Sequence, residues 1–175
     1  KFDTGKIIGP PDNDLILAQT VAKGGVVTGF AFLGSRTSTL PEIKTTILMN
    51  GGDVAPHLMS FPGALKTLDS IEAAAEGNGA FSAVPDPDGV IRLLSLFYTM
   101  KGVIYPSLAV EALRLYSGAE AVTIQVHETH PAWRFLMSSG IERVRIGDAS
   151  IPTDERGRIR LYDSASKVSR YLPAW

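Results

Sequence analysis

The run at residues 26–33, Val-Val-Thr-Gly-Phe-Ala-Phe-Leu, is short, apolar and rich in strand formers, and it follows closely on a segment, 15–23, with few polar positions. Pro10, Pro11, Asp12, Asn13 and Asp14 supply a turn and cap candidates ahead of that segment, which reads as a buried helix. Gly24 and Gly25 end it by supplying positive φ. A helix that feeds directly into an interior strand places the chain in the α/β class, a mixed layered sheet with flanking helices.

The remaining segments extend this pattern. Residues 34–41 form a polar Ser/Thr loop, and 42–49 fit either a strand or a helix. Leu65, Leu68, Ile71 and Ala75 recur at helical spacing, with Gly77, Asn78 and Gly79 ending that helix. A short strand at 80–84, a tight turn at 85–89 and a strand at 90–100 come next. Lys101 and Gly102 turn the chain into 103–105, and Ser107 caps a helix whose Leu108, Ala112 and Leu115 share a face before Gly118 ends it. Val122, Ile124 and Val126 alternate with Thr123 and Gln125, as in a half-buried strand. After a polar stretch at 127–131 and a short segment at 132–137, a β-meander of strands 141–146, 149–151 and 158–162 closes the chain. No repeat and no internal boundary interrupts residues 1–175, which read as a single domain.

Composition narrows the function classes. A chain of 175 residues hides roughly 70% of its extended surface on folding, enough for a real core. Seventeen basic against eighteen acidic residues give a net charge of -1, so no strong field draws nucleic acid or an anionic membrane, and no nucleic-acid partner is expected. Without cysteine there are no disulfides, thiolate nucleophiles or Cys-ligated metal sites. No stretch approaches the ~20 apolar residues that cross a bilayer as a helix. The start lacks an initiator Met and a signal-peptide layout, and both ends read as cuts made in a longer protein.

Chemistry-bearing motifs are sparse. His127 and His130 stand three apart, not the four of a zinc-binding helix, and are read as solvated polar residues, so no metal site is expected. Asp86-Pro87-Asp88-Gly89 resembles part of a calcium loop, but Phe97 occupies the position that needs a bidentate Glu. No phosphate-binding Gly loop and no G-x-S-x-G elbow occurs, and only His57, His127 and His130 could act as a histidine base. No catalytic residue and no cofactor is therefore assigned. Arg92, inside an otherwise apolar stretch, must find a charged partner or a polar ligand.

Two blocks, Asp86-Pro87-Asp88-Gly89-Val90-Ile91-Arg92 and Tyr105-Pro106-Ser107-Leu108-Ala109-Val110-Glu111-Ala112-Leu113, resemble the second type of CHASE domain, the cyclases/histidine kinases associated sensory extracellular module. Val144-Arg145-Ile146-Gly147-Asp148, Ile151-Pro152-Thr153-Asp154, Gly157-Arg158 and Tyr171-Leu172-Pro173-Ala174 are similar to the closing part of the same family. The resemblance covers most of residues 14–174. It departs from the family where an opening Trp-Pro-rich stretch is missing, where Leu93 replaces a basic residue and where Ser95 replaces a proline.

The resemblance implies an extracytoplasmic input domain of a bacterial membrane protein whose cytoplasmic output is a nucleotide cyclase, a histidine kinase or a Ser/Thr kinase. In this reading the chain is no enzyme itself, and an unknown small molecule or ion is its signal. Asp86, Asp88, Arg92, Tyr105 and Ser107 are the expected ligand contacts, because they cluster at strand ends and a helix N-terminus. The rival readings are a homodimerisation module that binds no ligand, and a small α/β hydrolytic enzyme with a His near a Ser or two converging carboxylates.

Overall fold

The computed structural model describes residues 11–127 and 139–162, in which four small mixed or antiparallel sheets are interleaved with three helices. The expected 132–137 segment, together with Glu128 and His130, lies outside the described residues. Helix α1 (Asn13–Val21) starts at Asp12, whose carboxylate accepts hydrogen bonds from the Asp14 and Leu15 N–H groups at 3.1 Å. Strand β1 (Val27–Leu33) follows as the centre of a sheet ordered β4-β1-β5, with β4 (Gly63–Leu65) antiparallel and β5 (Gly77–Ala80) parallel to it. The undecided segment resolves as β2 (Thr46–Asn50), an edge strand parallel to β9 (Ala121–His127); β10 (Gly140–Ile146) and β11 (Ala149–Pro152) complete that sheet.

A third sheet places β3 (Met59–Phe61) beside β7 (Phe97–Met100) and β8 (Val103–Pro106). The expected strand 90–100 is two strands, because the backbone breaks at Leu96: its N–H donates to the Gly157 carbonyl and its carbonyl accepts from Ser107 N–H. The first part, β6 (Leu93–Ser95), pairs with β12 (Arg158–Arg160) as a separate ribbon. The expected meander is corrected accordingly, since β10 and β11 form its hairpin and its third strand crosses to β6 instead.

Two apolar clusters meet at β7, whose successive side chains point to opposite faces. Phe97 joins Leu96, Val110, Val122, Ile124, Ile141, Val144 and Ile146, while Tyr98 and Met100 join Phe30, Phe32 and Tyr105. The second cluster is strongly aromatic, with Phe32 stacked on Phe61 at 4.8 Å and edge-on to Phe30 and Tyr105. One strand thus serves two cores.

Several helical expectations change in ways packing explains. Helix α1 is not buried: Leu15, Ile16 and Leu17 are each about half exposed, and only Ala18 and Val21 are covered. Its apolar residues run round the helix, so the sequence marks no single face for its contact with the second helix, α2 (Asp69–Ala74). Helix α2 is only Asp69–Ala74, since Leu65 is drawn into β4 opposite Ala31. Gly77, Asn78 and Gly79 do not end a helix but form the buried strand β5, and of the expected strand 80–84 only Ala80 is extended in a sheet.

Helix α3 (Leu108–Ser117) begins at Ser107, whose hydroxyl accepts from Val110 N–H at 3.3 Å, and stops at Gly118 with φ +66°. Its covered stripe is Ser107, Val110, Glu111 and Arg114, not the expected Leu108, Ala112 and Leu115. The stripe rests on β5, where a Cβ at Gly79 would fall 2.6 Å from the Leu108 Cα and one at Gly77 would fall 3.0 Å from the Glu111 carboxylate. Beneath the helix, Glu111 Oε2 accepts from Arg114 Nε at 3.0 Å and Nη2 at 2.8 Å, while Arg114 also donates to the carbonyls of Ala119 and Glu76. Glu111 Oε1 is buried with no hydrogen-bond partner, and burial holds this carboxyl above the ordinary glutamate range against the opposing pull of Arg114.

Gly79→Ala should destabilise the chain by at least about 2 kcal/mol in urea unfolding, because the added methyl meets helix backbone and not a flexible side chain. Arg114→Ala should cost about 3–5 kcal/mol, as it strands Glu111 in the interior. Because its native affinity for a proton is raised, Glu111 contributes its full stabilisation below the unfolded value near 4.3 and loses it as pH rises through the native value. Unfolding titrations across pH should therefore show stability that falls more steeply with rising pH in the parent chain than in Glu111→Gln.

Candidate functional site

The turn at 85–89 closes through Gly89 N–H donating to the Asp86 carbonyl at 2.8 Å and Asp86 N–H donating to the Val90 carbonyl at 3.0 Å. Arg92 lies just before β6, not inside a strand as its apolar neighbours suggest, and its side chain is 45% exposed. Its Nη1 donates to Asp86 Oδ2 and Asp88 Oδ1 at 2.9 Å, and its Nη2 to Asp88 Oδ2 at 2.7 Å. The guanidinium, with help from Val90 N–H, holds the Asp88 carboxyl below its usual range, and the two carboxylates raise Arg92 in turn. Three of the expected contacts therefore sit together as a surface cluster whose charges already satisfy one another.

Tyr105 and Ser107 lie elsewhere, 1% and 2% exposed. The Tyr105 ring is part of the aromatic core, and burial together with the negative charge of Glu72 pushes its phenol up. Glu72 itself is buried and accepts from Lys66 Nζ at 2.6 Å, Asn78 Nδ2 at 2.7 Å and Glu42 N–H at 3.0 Å, so it braces three segments. Ser107 is spent as the α3 cap. A ligand could touch these two residues only if the core around them opened.

The open surface of the site is centred on Arg158, which the sequence marks as a strand start and as part of a family-like block. Asp154 organises the turn before it, its Oδ1 accepting from Arg156 N–H at 3.0 Å and Arg158 N–H at 2.9 Å, its Oδ2 from Arg158 Nε at 2.8 Å. Arg158 faces Ser95 across the β6–β12 ribbon. A cavity of about 350 Å³ on one side of it is lined by His57, Met59, Ser95, Glu155 and Arg156, and a smaller one of about 150 Å³ extends to Asp86 and Leu93. The expected cluster thus borders the groove through Asp86. His57 and Ser95 share the larger cavity, yet no hydrogen bond joins them among the described residues.

Sequence reasoning gave Arg156, Arg158, His57 and Ser95 no place in a ligand site, although it named His57 as a possible histidine base, Gly157-Arg158 as part of a family-like block and Ser95 as a departure from the family. Arg158 was findable as the first residue of the strand that the Asp154 turn feeds, while Arg156 sits in the turn itself, ahead of Gly157 at φ +67°. His57 and Ser95 reach the groove only through the crossing of β6 and the segment before β3, which no local pattern encodes.

Arg92→Gln should raise the Asp88 carboxyl toward its ordinary value, a change readable by NMR titration of the side-chain carboxyl. An unchanged Asp88 titration would show that the ion pair does not hold in solution.

A family model for the CHASE2 domain matches residues 2–175, a wider span than the motif blocks alone. No curated protein and no solved structure matches the chain. CHASE2 domains are extracellular sensory modules of receptors and are not catalytic. Among the described residues no helix is long and apolar enough to cross a membrane. With a match over essentially its whole length, a mixed α/β fold and both motif blocks in place, the chain belongs to the CHASE2 domain family.

Proposed function

We propose that this chain is the signal-input domain of a bacterial transmembrane receptor whose output is an adenylate or guanylate cyclase or a histidine kinase. A small ligand binds one of two arrangements of the domain better than the other, and that difference in affinity moves the membrane helices. The family membership over residues 2–175 carries the reading. The groove beside Arg158 supports it, because it joins the 85–92 turn to the segment before β3 and to the closing ribbon, three chain segments whose relative placement a ligand can bias. Asp86, Asp88 and Arg92 are its outer contacts, while Tyr105 and Ser107 act from behind, through the aromatic core and the α3 cap.

A second reading, a homodimeric spacer that binds no ligand, draws on the half-exposed Leu15, Ile16 and Leu17 of α1. The two differ in a ligand screen by thermal shift, since a ligand at one hundred times its dissociation constant adds about 2.7 kcal/mol to a sensor and nothing to a spacer.

The complete reading frame is expected to contain apolar helices of about 20 residues next to this domain and a cyclase or kinase domain beyond them. A frame with neither would overturn the sensor reading. In membranes carrying the full receptor, deletion of the domain is expected to change cyclic-nucleotide production or phosphorylation.

A further inference from the structure

We infer that Asn50 is a site of spontaneous deamidation, at which the Gly51 backbone nitrogen closes on the Asn50 side chain to a succinimide that water opens to aspartate and isoaspartate. The inference does not depend on which output the receptor carries.

Three steps in the chain place an Asn or Asp directly before a glycine: Asn50-Gly51, Asn78-Gly79 and Asp88-Gly89. A following glycine leaves the attacking nitrogen without a side chain in its way and with a permissive backbone. The sequence treats the two asparagines alike, and the fold separates them. Asn78 is 1% exposed, its Nδ2 donating to the Glu72 carboxylate at 2.7 Å and the Glu42 carbonyl at 3.0 Å, its Oδ1 accepting from the Thr28 hydroxyl at 3.1 Å. Gly79 pairs with Gly29 inside the sheet and lies under the start of α3. The leaving amide and the attacking nitrogen can meet there only when β5 opens.

The other candidates are restrained in their own ways. The Asp88 carboxylate is bound to Arg92 at 2.9 and 2.7 Å, and Gly89 N–H donates to the Asp86 carbonyl at 2.8 Å. Asn13 precedes Asp14, whose N–H is taken up by the Asp12 carboxylate at the start of α1.

Asn50 has none of these restraints. It is the exposed last residue of the edge strand β2, and with Thr123 and Gln125 it borders a polar surface hollow of about 430 Å³. Among the described residues its side-chain amide makes no hydrogen bond and the Gly51 N–H has no partner. Fraying at the end of an edge strand lets Asn50 leave the extended conformation and bring the Gly51 nitrogen to its Cγ. Packing also keeps the reactive pair in place: Gly51 adopts φ +94°, and a Cβ there would overlap the Val126 carbonyl oxygen, so the residue that makes Asn50 labile is one the fold requires.

The chemistry needs only water and a base in the solvent. The Gly51 nitrogen gives up its proton and bonds to Asn50 Cγ; the Cγ–Nδ2 bond breaks, and Nδ2 takes a proton from water and leaves as ammonia. Water then adds to either carbonyl of the imide. Rupture of the new N–Cγ bond restores the main chain and leaves aspartate, while rupture of the original peptide bond leaves isoaspartate, with the chain running through Cγ. Either product makes the net charge, -1 in the parent chain, more negative by one unit. Isoaspartate also lengthens the backbone where Gly51 is seated against Val126.

The test is incubation of the 175-residue chain at mildly alkaline pH, folded and in urea, followed by peptide mapping with mass spectrometry and isoaspartyl methyltransferase labelling. In the folded chain Asn50 is expected to convert at least about tenfold faster than Asn78. In urea the two should convert at similar rates, which assigns the difference to the fold. Both aspartate and isoaspartate should form at Asn50, and Asn50→Gln should remove the acidic species that accumulates on ion-exchange chromatography. Equal rates at Asn50 and Asn78 in the folded chain, conversion of Asn50 in urea alone, or absence of isoaspartate from its products would each overturn the assignment.

Discussion

A helix laid on a strand of almost no side chains is the constraint on which the rest of this domain depends. Strand β5 reads Gly-Asn-Gly-Ala, and its two glycines give α3 a bed close enough that a methyl group at Gly79 would overlap helix backbone. The close approach positions β5 against β1 on one side and the start of α3 on the other, with a bridge between Ala80 and Ser107 tying the layers. It also carries Glu111 and Arg114 inside, where each needs the other. A pair enclosed in this way is sensitive to geometry, and it sits between α3 and β5.

Charge is distributed in three distinct ways. Glu72 and Glu111 are enclosed, each held by donors from neighbouring groups, and they brace the interior. Asp86, Asp88 and Arg92 are exposed and pair with one another, a rim that borders the groove through Asp86. Arg158 is oriented through its Nε by Asp154 and lines the groove. Perturbed protonation by itself does not separate these roles, because Asp88 and Glu111 are both shifted yet both are structural in their contacts. Unspent hydrogen-bonding capacity is the better guide to where a ligand could act.

Local chemistry was legible wherever one segment suffices to define it. The Asp12 and Ser107 caps, the stops at Gly24 and Gly118, the 85–89 turn and the alternation of Val122, Ile124 and Val126 all appear as read. The pairing of Arg92 with nearby acids was also readable, since both partners lie within six residues of it. Errors gathered where a segment's fate depends on a distant one. Leu65 entered β4 because β1 offered an edge, and the apolar run 90–100 broke because Gly157 and Ser107 both hydrogen-bond Leu96.

The sequence by itself determined the class of fold, the caps and turns, and the motif blocks that mark a CHASE2 domain, because these are written in residues that are neighbours along the chain. Only the tertiary structure decided that β12 leaves its hairpin for β6, that a charged pair lies beneath α3, and that Arg158 meets His57 and Ser95 around one groove. The reason is physical: a hydrogen bond or cavity wall between residues far apart in sequence is set by how sheets stack, and no local propensity contains that information.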